Sequence, residues 1–377
     1  MEFRDLKKQY HLYSERLNRV VQDVFSQTSF ISGLEVKSLE TRLAKYVGVK
    51  HCVTCANGTD ALALVLKAWG IGPGDAVFVP DFTFFATAEV VSLVGATPVF
   101  VDVDANTYNI DTDDLMRKVR QTQEEGVLSP RVVIPVDLFG LLADYEQIQL
   151  IADEFGLLVL EDAAQGFGAE FEGKRAGSFG HAATTSFFPA KPLGCYGDGG
   201  AIFTNDNELA ELLKSLRVHG KGIDKYDNVR VGYNSRLDTI QAAILHVKLD
   251  AFIAHELADV NQAYRMYNER LQGHVIVPSI PEGHTSSFAQ YTIQLPSEEI
   301  RDGLRQYLSS MDIPSMIYYV KGMHAQTAFV DLGYKDEDFP VTSKLCETVL
   351  SLPMHPYLSE EDINLVSSSI IEYLKNQ

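Results

Sequence analysis

Residues 131–163 read RVVIPVDLFGLLADYEQIQLIADEFGLLVLEDA. Two apolar runs, RVVIPV and LLVLEDA, flank YEQIQLIADEF, whose apolar residues recur at helical spacing. That is one strand–helix–strand unit. Runs with so little polar alternation bury both of their faces, as strands do in a parallel sheet covered by helices. The same rhythm extends in both directions. Upstream lie HCVTCA (51–56) with a helix from Thr59, AVFVP (76–80) with FATAEVVSLV (85–94), and TPVFVDV (97–103) with a helix near Asp113. Downstream lie TTSFF (184–188) and AIFTN (201–205). Before the rhythm begins, Leu6, Tyr10, Tyr13, Leu17, Val20, Val21, Val24 and Phe25 mark one amphipathic helix, and Glu35 to Val47 reads as a second.

The alternation stops near Asn205. Residues 207–272 are helical in pattern, with one polar break at HGKGIDKYDNVRVGYNSR (219–236). After Pro278 the sequence predicts a strand (AQYTIQL, 289–295), a helix (EIRDGLRQYLSSM, 299–311), a strand (SMIYYV, 315–320) and two terminal helices. The expected fold class is α/β, a mostly parallel sheet with helices on both faces. This large domain spans 1–248, and a smaller α+β domain spans 249–377. The length of 377 residues fits such a division.

Charge bounds the partners. Lys and Arg number 32 against 51 Asp and Glu, a formal net charge of −19. A field of that sign does not track a nucleic-acid backbone or an anionic membrane, so neither is expected as a partner. A local site can still oppose it for a small anion. The segment MEFRDLKKQY has no apolar core of the signal-peptide kind. The most apolar stretch, Val90 to Val101, is short for a membrane span and is broken by Gly95 and Pro98. With only four cysteines, a cytoplasmic location is expected.

Three motifs carry no claim. Cys52 and Cys55 lack a second ligand pair, so no metal site is expected. Gly168 to Lys174 resembles a phosphate loop but is followed by Arg175 rather than Ser or Thr, and EFEGKRAG (170–177) reads as a turn between two extended pieces. Gly70, Gly72 and Gly74 form a turn with Pro73.

In open α/β sheets, ligands bind beyond the carboxyl ends of the strands. After HCVTCA comes Asn57-Gly58-Thr59-Asp60, either an ordinary helix capped by Thr59 or an anion site at a helix N-terminus. After AVFVP, Phe82, Phe84 and Phe85 are either core or an aromatic wall for a flat ligand. After LLVLEDA, Asp162 and Gln165 stand where an unpaired carboxylate is costly, so Asp162 is either a helix cap or the partner of a cation. After TTSFF comes Lys191, between Pro189 and Pro192 and ahead of a glycine-rich run. A lysine desolvated there has a lowered pKa and is a candidate Schiff-base former. Pyridoxal phosphate requires this set: a lysine, an acid for the pyridine nitrogen, a phosphate site and a flat apolar face.

FRDLKKQY (3–10), NGTDAL (57–62), EDAAQGFGA (161–169), SFFPAKPLGCYGDGGAIFTND (186–206), GYNSRLDTIQAAIL (232–245) and SLPMHPYL (351–358) together resemble the DegT-type sugar-nucleotide aminotransferases, a branch of the fold-type I pyridoxal phosphate enzymes. The resemblance covers nearly the whole chain and implies a seven-stranded sheet of that fold. It implies that Lys191 carries the cofactor, Asp162 pairs with the pyridine nitrogen, Gln165 lies near the ring hydroxyl and Phe84 stacks on the ring. Gly58, Thr59 and Ser186 would hold the phosphate, with Asn234 reaching it from the partner of a homodimer. Arg236, Tyr318, Tyr319 and His324 would face substrate. Many relatives carry His-Tyr where this chain has Tyr318-Tyr319, which bears on the substrate rather than the chemistry. The stretches around Lys191 and at 351–358 look most like the branch that aminates UDP-linked 3-keto-hexuronates for surface polysaccharide, with glutamate as donor. The alternative is a dTDP-3-keto-6-deoxyhexose or 4-keto substrate. Two further readings are a family dehydratase without a lysine linkage, which Lys191 opposes, and a non-enzymatic ligand sensor, which the complete lysine, aspartate and phosphate set opposes.

Overall fold

A computed structural model of the chain describes residues 1–224 and 226–377. Two helices lead, α1 (Leu6–Gln27) and α2 (Leu34–Val47). The alternating region follows as β1 (His51–Cys55), α3 (Gly58–Ala68), β2 (Asp75–Pro80), α4 (Phe85–Leu93), β3 (Thr97–Val101) and α5 (Thr112–Glu125). It continues through β4 (Ser129–Val133), α6 (Tyr145–Phe155) and β5 (Leu158–Asp162). A small hairpin, β6 (Glu170–Phe171) and β7 (Lys174–Arg175), precedes β8 (Ala182–Ser186), β9 (Gly200–Thr204) and α7 (Asn207–Leu216).

All seven expected strands join one sheet in the order β1-β9-β8-β5-β4-β2-β3. Only β9 runs against its neighbours, pairing antiparallel with both β1 and β8. The carboxyl ends of β1, β2, β4, β5 and β8 therefore open on one edge. Side chains alternate across the sheet: Val77 and Val79 of β2 join the layer under α3, α4 and α7, while Ala76 and Phe78 join the layer under α5 and α6. Burying a side chain of this size stabilises by roughly 1.5–3 kcal/mol, which is why register is well specified here.

The C-terminal part comprises α8 (Thr239–Ala251), α9 (Leu257–Leu271), β10 (His284–Thr285), β11 (Tyr291–Gln294) and α10 (Glu298–Ser310). It ends with α11 (Pro340–Thr348), β12 (Val349–Leu352) and α12 (Glu360–Lys375). The helix runs straight through position 248. Leu245 and Leu249 of α8 pack on Ala201 and Phe203 of the sheet, and a π-type turn follows at Phe252–Glu256. Beyond it, Val260, Tyr267 and Leu271 of α9 belong to a separate core with β11, β12, α10 and α12.

Two expectations change. SMIYYV is not a strand: Met316 makes a single bridge to Ser351, and the chain then turns so that Tyr319 points to Gln165 and Tyr318 to Phe3. The strand paired with β11 is β12 instead. EFEGKRAG is, as expected, a turn between two extended pieces, the β6–β7 hairpin, and β10 extends it. Cys52 and Cys55 are both buried in β1.

Candidate active site

Five loops meet beyond the strand ends. After β1, the Asn57 side chain, not Thr59, caps α3, accepting from the Asp60 amide at 2.7 Å. Thr59 lies in the first turn, where amides have no partner inside the helix. Gly58 is there for space: a Cβ on it would lie 2.8 Å from the Ser186 Cβ. Gly58 and Thr59 thus open α3 with Ser186 close beside Gly58, a positive helix end suited to an anion.

After β2 the three phenylalanines separate. Phe82 is buried, and its ring meets Tyr319 at 5.8 Å. Phe85 packs on Phe329 at 5.4 Å. Phe84 stays 55% exposed at the head of α4, an apolar face that the core does not use.

Asp162 ends β5 and is buried. Thr87 Oγ1 donates to its Oδ2 at 2.9 Å, and the Ala164 amide to Oδ1 at 3.2 Å. Burial raises its pKa, and Lys191 pulls in the other direction. Gln165 is fixed at both ends of its amide: Oε1 accepts from the Phe139 amide at 2.7 Å, and Nε2 donates to Tyr319 Oη at 3.1 Å. Lys191 follows β8. Its amide donates to Phe188 O at 2.8 Å. Burial lowers its pKa, Asp162 opposes that, and Arg4 adds to it. A neutral amine is the form that attacks a carbonyl, and a lowered pKa favours it.

These residues fit the expected cofactor on their own evidence. Asp162 is a buried carboxylate with no ion pair among the described residues, the first-turn amides of α3 have no partner inside the helix, and Lys191 is a desolvated amine.

Directly behind Asp162 sits a second acid pair. Asp137 Oδ1 accepts from Tyr145 Oη at 2.8 Å, and Glu161 accepts from the Gly177 and Phe179 amides at 2.6 and 2.8 Å. Asp137 Oδ2 lacks a donor among the described residues, and a proton shared with Glu161 supplies one. Burial pushes Asp137 up to about 7 and raises Glu161 as well. Both therefore bind protons more tightly folded than unfolded. The stability this proton confers is complete below pH ~4, the unfolded carboxylate range, and is lost as pH rises through about 7. The urea midpoint should fall between pH 5 and 8 in the wild type. Asp137→Asn, whose amide replaces the shared proton permanently, should flatten that slope. An equal slope in both proteins would remove Asp137 as its source.

Other expected residues lie elsewhere. His324 is not available to a substrate. It is buried with Nδ1 at 2.6 Å from Asp81 and Nε2 at 2.9 Å from Asp336, stacked on Phe339. Burial works against its charge, but the two carboxylates win and raise its pKa. Both ring nitrogens are spent inside the chain. Tyr319 Oη accepts from Gln165 Nε2, so Tyr319 and Gln165 stand together. Tyr318 is half-buried, edge-on to Phe3 at 6.2 Å. Asn234 is exposed, while Ser235 beside it is buried and accepts from the Ala56 amide at 3.0 Å. Arg236 has no hydrogen-bond or ion-pair partner among the described residues.

Sequence reasoning missed Thr87 and Arg4. Thr87 carried a signal, a hydroxyl inside the apolar run FATAEVVSLV. Arg4, whose Nη2 donates to Lys191 O at 2.8 Å, carried none.

Residues 12–371 match the profile of the DegT/DnrJ/EryC1/StrS aminotransferase family. The chain is 43% identical over 373 residues to the UDP-2-acetamido-2-deoxy-3-oxo-D-glucuronate aminotransferase of Pseudomonas aeruginosa, covering 98% of this chain and 99% of that one. A DegT/DnrJ/EryC1/StrS aminotransferase from Brucella abortus superposes with a TM-score of 0.96 at 51% identity, over 99% of each chain. A protein described as a sugar aminotransferase from Streptococcus pneumoniae, in its PLP-form, superposes at 0.88 with 25% identity, over 96% of each chain.

Proposed function

Because this chain belongs to the DegT/DnrJ/EryC1/StrS aminotransferase family, we propose that it moves an amino group from glutamate to C3 of a UDP-linked 2-acetamido-3-keto-hexuronic acid, with pyridoxal phosphate held at Lys191. The observation that carries the reading is Lys191, a desolvated amine, opposed by the buried carboxylate of Asp162 beyond the ends of neighbouring strands.

Pyridoxal phosphate supplies, when bound, a carbonyl for amines and an electron-accepting ring. The Gly58 and Thr59 amides and the Ser186 hydroxyl would bind the phosphate, and Phe84, exposed at the head of α4, would offer the ring an apolar face. Gln165, held by Phe139 and Tyr319, orients the ring hydroxyl. Asp162, oriented by Thr87, keeps a proton on the pyridine nitrogen. Lys191 Nζ is the attachment point and afterwards the base and acid that moves the α-proton.

The active unit is a homodimer in which Asn234 and Arg236 of each subunit reach toward the other's site. Exposed apolar side chains support this: Phe25, Leu34, Ile223, Val229 and Val231 face solvent in the single chain. No described helix is long and apolar enough to cross a membrane, in keeping with a cytoplasmic enzyme.

With His324 spent, Arg236 and the exposed Lys321 remain to oppose the net charge at an anionic sugar. Arg236 without an internal partner suits a carboxylate, since a buried cation left unpaired by a 6-deoxy sugar would be costly. The test compares the 3-keto-uronate with a dTDP-3-keto-6-deoxyhexose at matched concentration. The uronate should win in kcat/KM. A tenfold preference for the 6-deoxy sugar, about 1.4 kcal/mol of transition-state binding, would reverse the substrate and leave the transaminase standing.

A further inference from the structure

The segment before α1 lies over the loop that carries Lys191. Arg4 Nη2 donates to Lys191 O at 2.8 Å and lies 3.5 Å from Pro192 O. On the other side, the Lys191 amide is tied to Phe188 O at 2.8 Å. The peptide units flanking Lys191 are thus held in both directions, and Pro192 has no amide to offer a further bond. The segment is itself anchored to the C-terminal domain. The Met354 amide donates to Phe3 O at 3.3 Å, Lys8 Nζ donates to Tyr357 O at 2.9 Å, and Phe3 meets Tyr318 edge-on.

We propose that Arg4 is a positioning residue for Lys191: its guanidinium clamps the main chain of the lysine and places a permanent positive charge behind the amine. This rests on the reading of Lys191 as the cofactor lysine. Arginine suits the task because its long side chain brings one nitrogen, Nη2, to both neighbouring carbonyls while its charge is permanent. No carboxylate forms an ion pair with Arg4 among the described residues. Glu256 and Tyr357 act on it only at longer range, and Glu256 already accepts from the hydroxyls of Tyr13 and Tyr357. The charge facing Lys191 therefore stays unneutralised at contact distance. Lys191 feels two charged groups, Asp162 favouring its protonated form and Arg4 disfavouring it. Lys248, also buried, feels Arg4 in the same sense.

The experiment uses Arg4→Met and Arg4→Lys. In each holoenzyme, the pH midpoint of the lysine-bound cofactor absorbance is titrated and the rate of cofactor release is measured by dilution. In the cofactor-free full chain, Lys191 is titrated by competitive acetic anhydride labelling with peptide mapping. Loss of the charge in Arg4→Met should raise both midpoints by about one pH unit and speed release. Arg4→Lys should keep midpoints near wild type yet still speed release, because the shorter side chain loses its hold on the Lys191 carbonyl. Unchanged midpoints in Arg4→Met overturn the electrostatic part, and unchanged release in both variants overturns the clamp. A wild type in which the cofactor attaches to another lysine overturns the reading of Lys191, and the labelling experiment then still reports whether Arg4 acts on that amine.

Discussion

Lys191→Ala protein is expected to fold, to bind pyridoxal phosphate only loosely and to lack transaminase activity. The loss should be close to complete, because the proposed function makes one atom, Nζ, both attachment point and proton carrier. Little structural cost attends the change. Lys191 is half-buried in a loop, its main chain is held by Phe188 and Arg4, and its side chain belongs to none of the apolar cores. Circular dichroism and a melting curve should match wild type. Borohydride reduction of wild-type holoenzyme followed by peptide mapping should mark Lys191, and labelling of a different lysine would end the assignment. The variant also tests subunit sharing. Mixed with inactive Arg236→Ala protein under conditions of verified exchange, it should regain partial activity, since each heterodimer holds one intact set of residues. No recovery would count against a shared site.

How much of this was visible beforehand depends on how local the cause is. Each strand of the large sheet is an apolar run that must bury both faces, and its boundaries are polar or turn-forming residues, so β1 to β5, β8 and β9 could be read directly. Lys191 and Asp162 were legible for the same local reason: each is a polar group where the surroundings desolvate it. Non-local causes were hidden. His324 has the chemistry of a substrate donor, but Asp81 and Asp336 take both its nitrogens, and Asp81 lies 243 positions away. SMIYYV has strand composition, yet its tyrosines are drawn to Gln165 and Phe3 rather than into a ladder. β12 follows α11 with no turn residue between them, so it was folded into the helical tail. Asn57 outcompeted Thr59 as the cap of α3 because it sits one step outside the helix, where a short side chain can return to the Asp60 amide. Thr59 is thereby left in the first turn beside Gly58, facing the pocket it was expected to serve.

Asp162→Asn should retain cofactor yet lose activity on the order of 10²–10³-fold, the usual cost of removing an electrostatic partner that strengthens in the transition state. The side chain keeps its shape. With its oxygen toward the Ala164 amide and its NH2 donating to Thr87 Oγ1, which can accept as well as donate, the new amide keeps a partner for both neighbours. The larger effect is on charge. Burial raises the pKa of Asp162, so as a lone carboxylate it is costly. A pyridinium proton in front of it relieves that cost, and the same attraction holds the proton on the ring nitrogen. A neutral amide gives no such attraction, so it would not hold a proton on the pyridine nitrogen, and the electron-accepting chemistry that the cofactor would supply would be weakened. Binding depends on the phosphate pocket and the Lys191 attachment, so it should suffer less. The prediction is therefore a split: cofactor affinity within about tenfold of wild type, and kcat down by two to three orders of magnitude. Turnover within a few-fold of wild type would remove Asp162 from the chemistry. An equal fall in affinity and rate would mean that it holds the cofactor rather than tunes it.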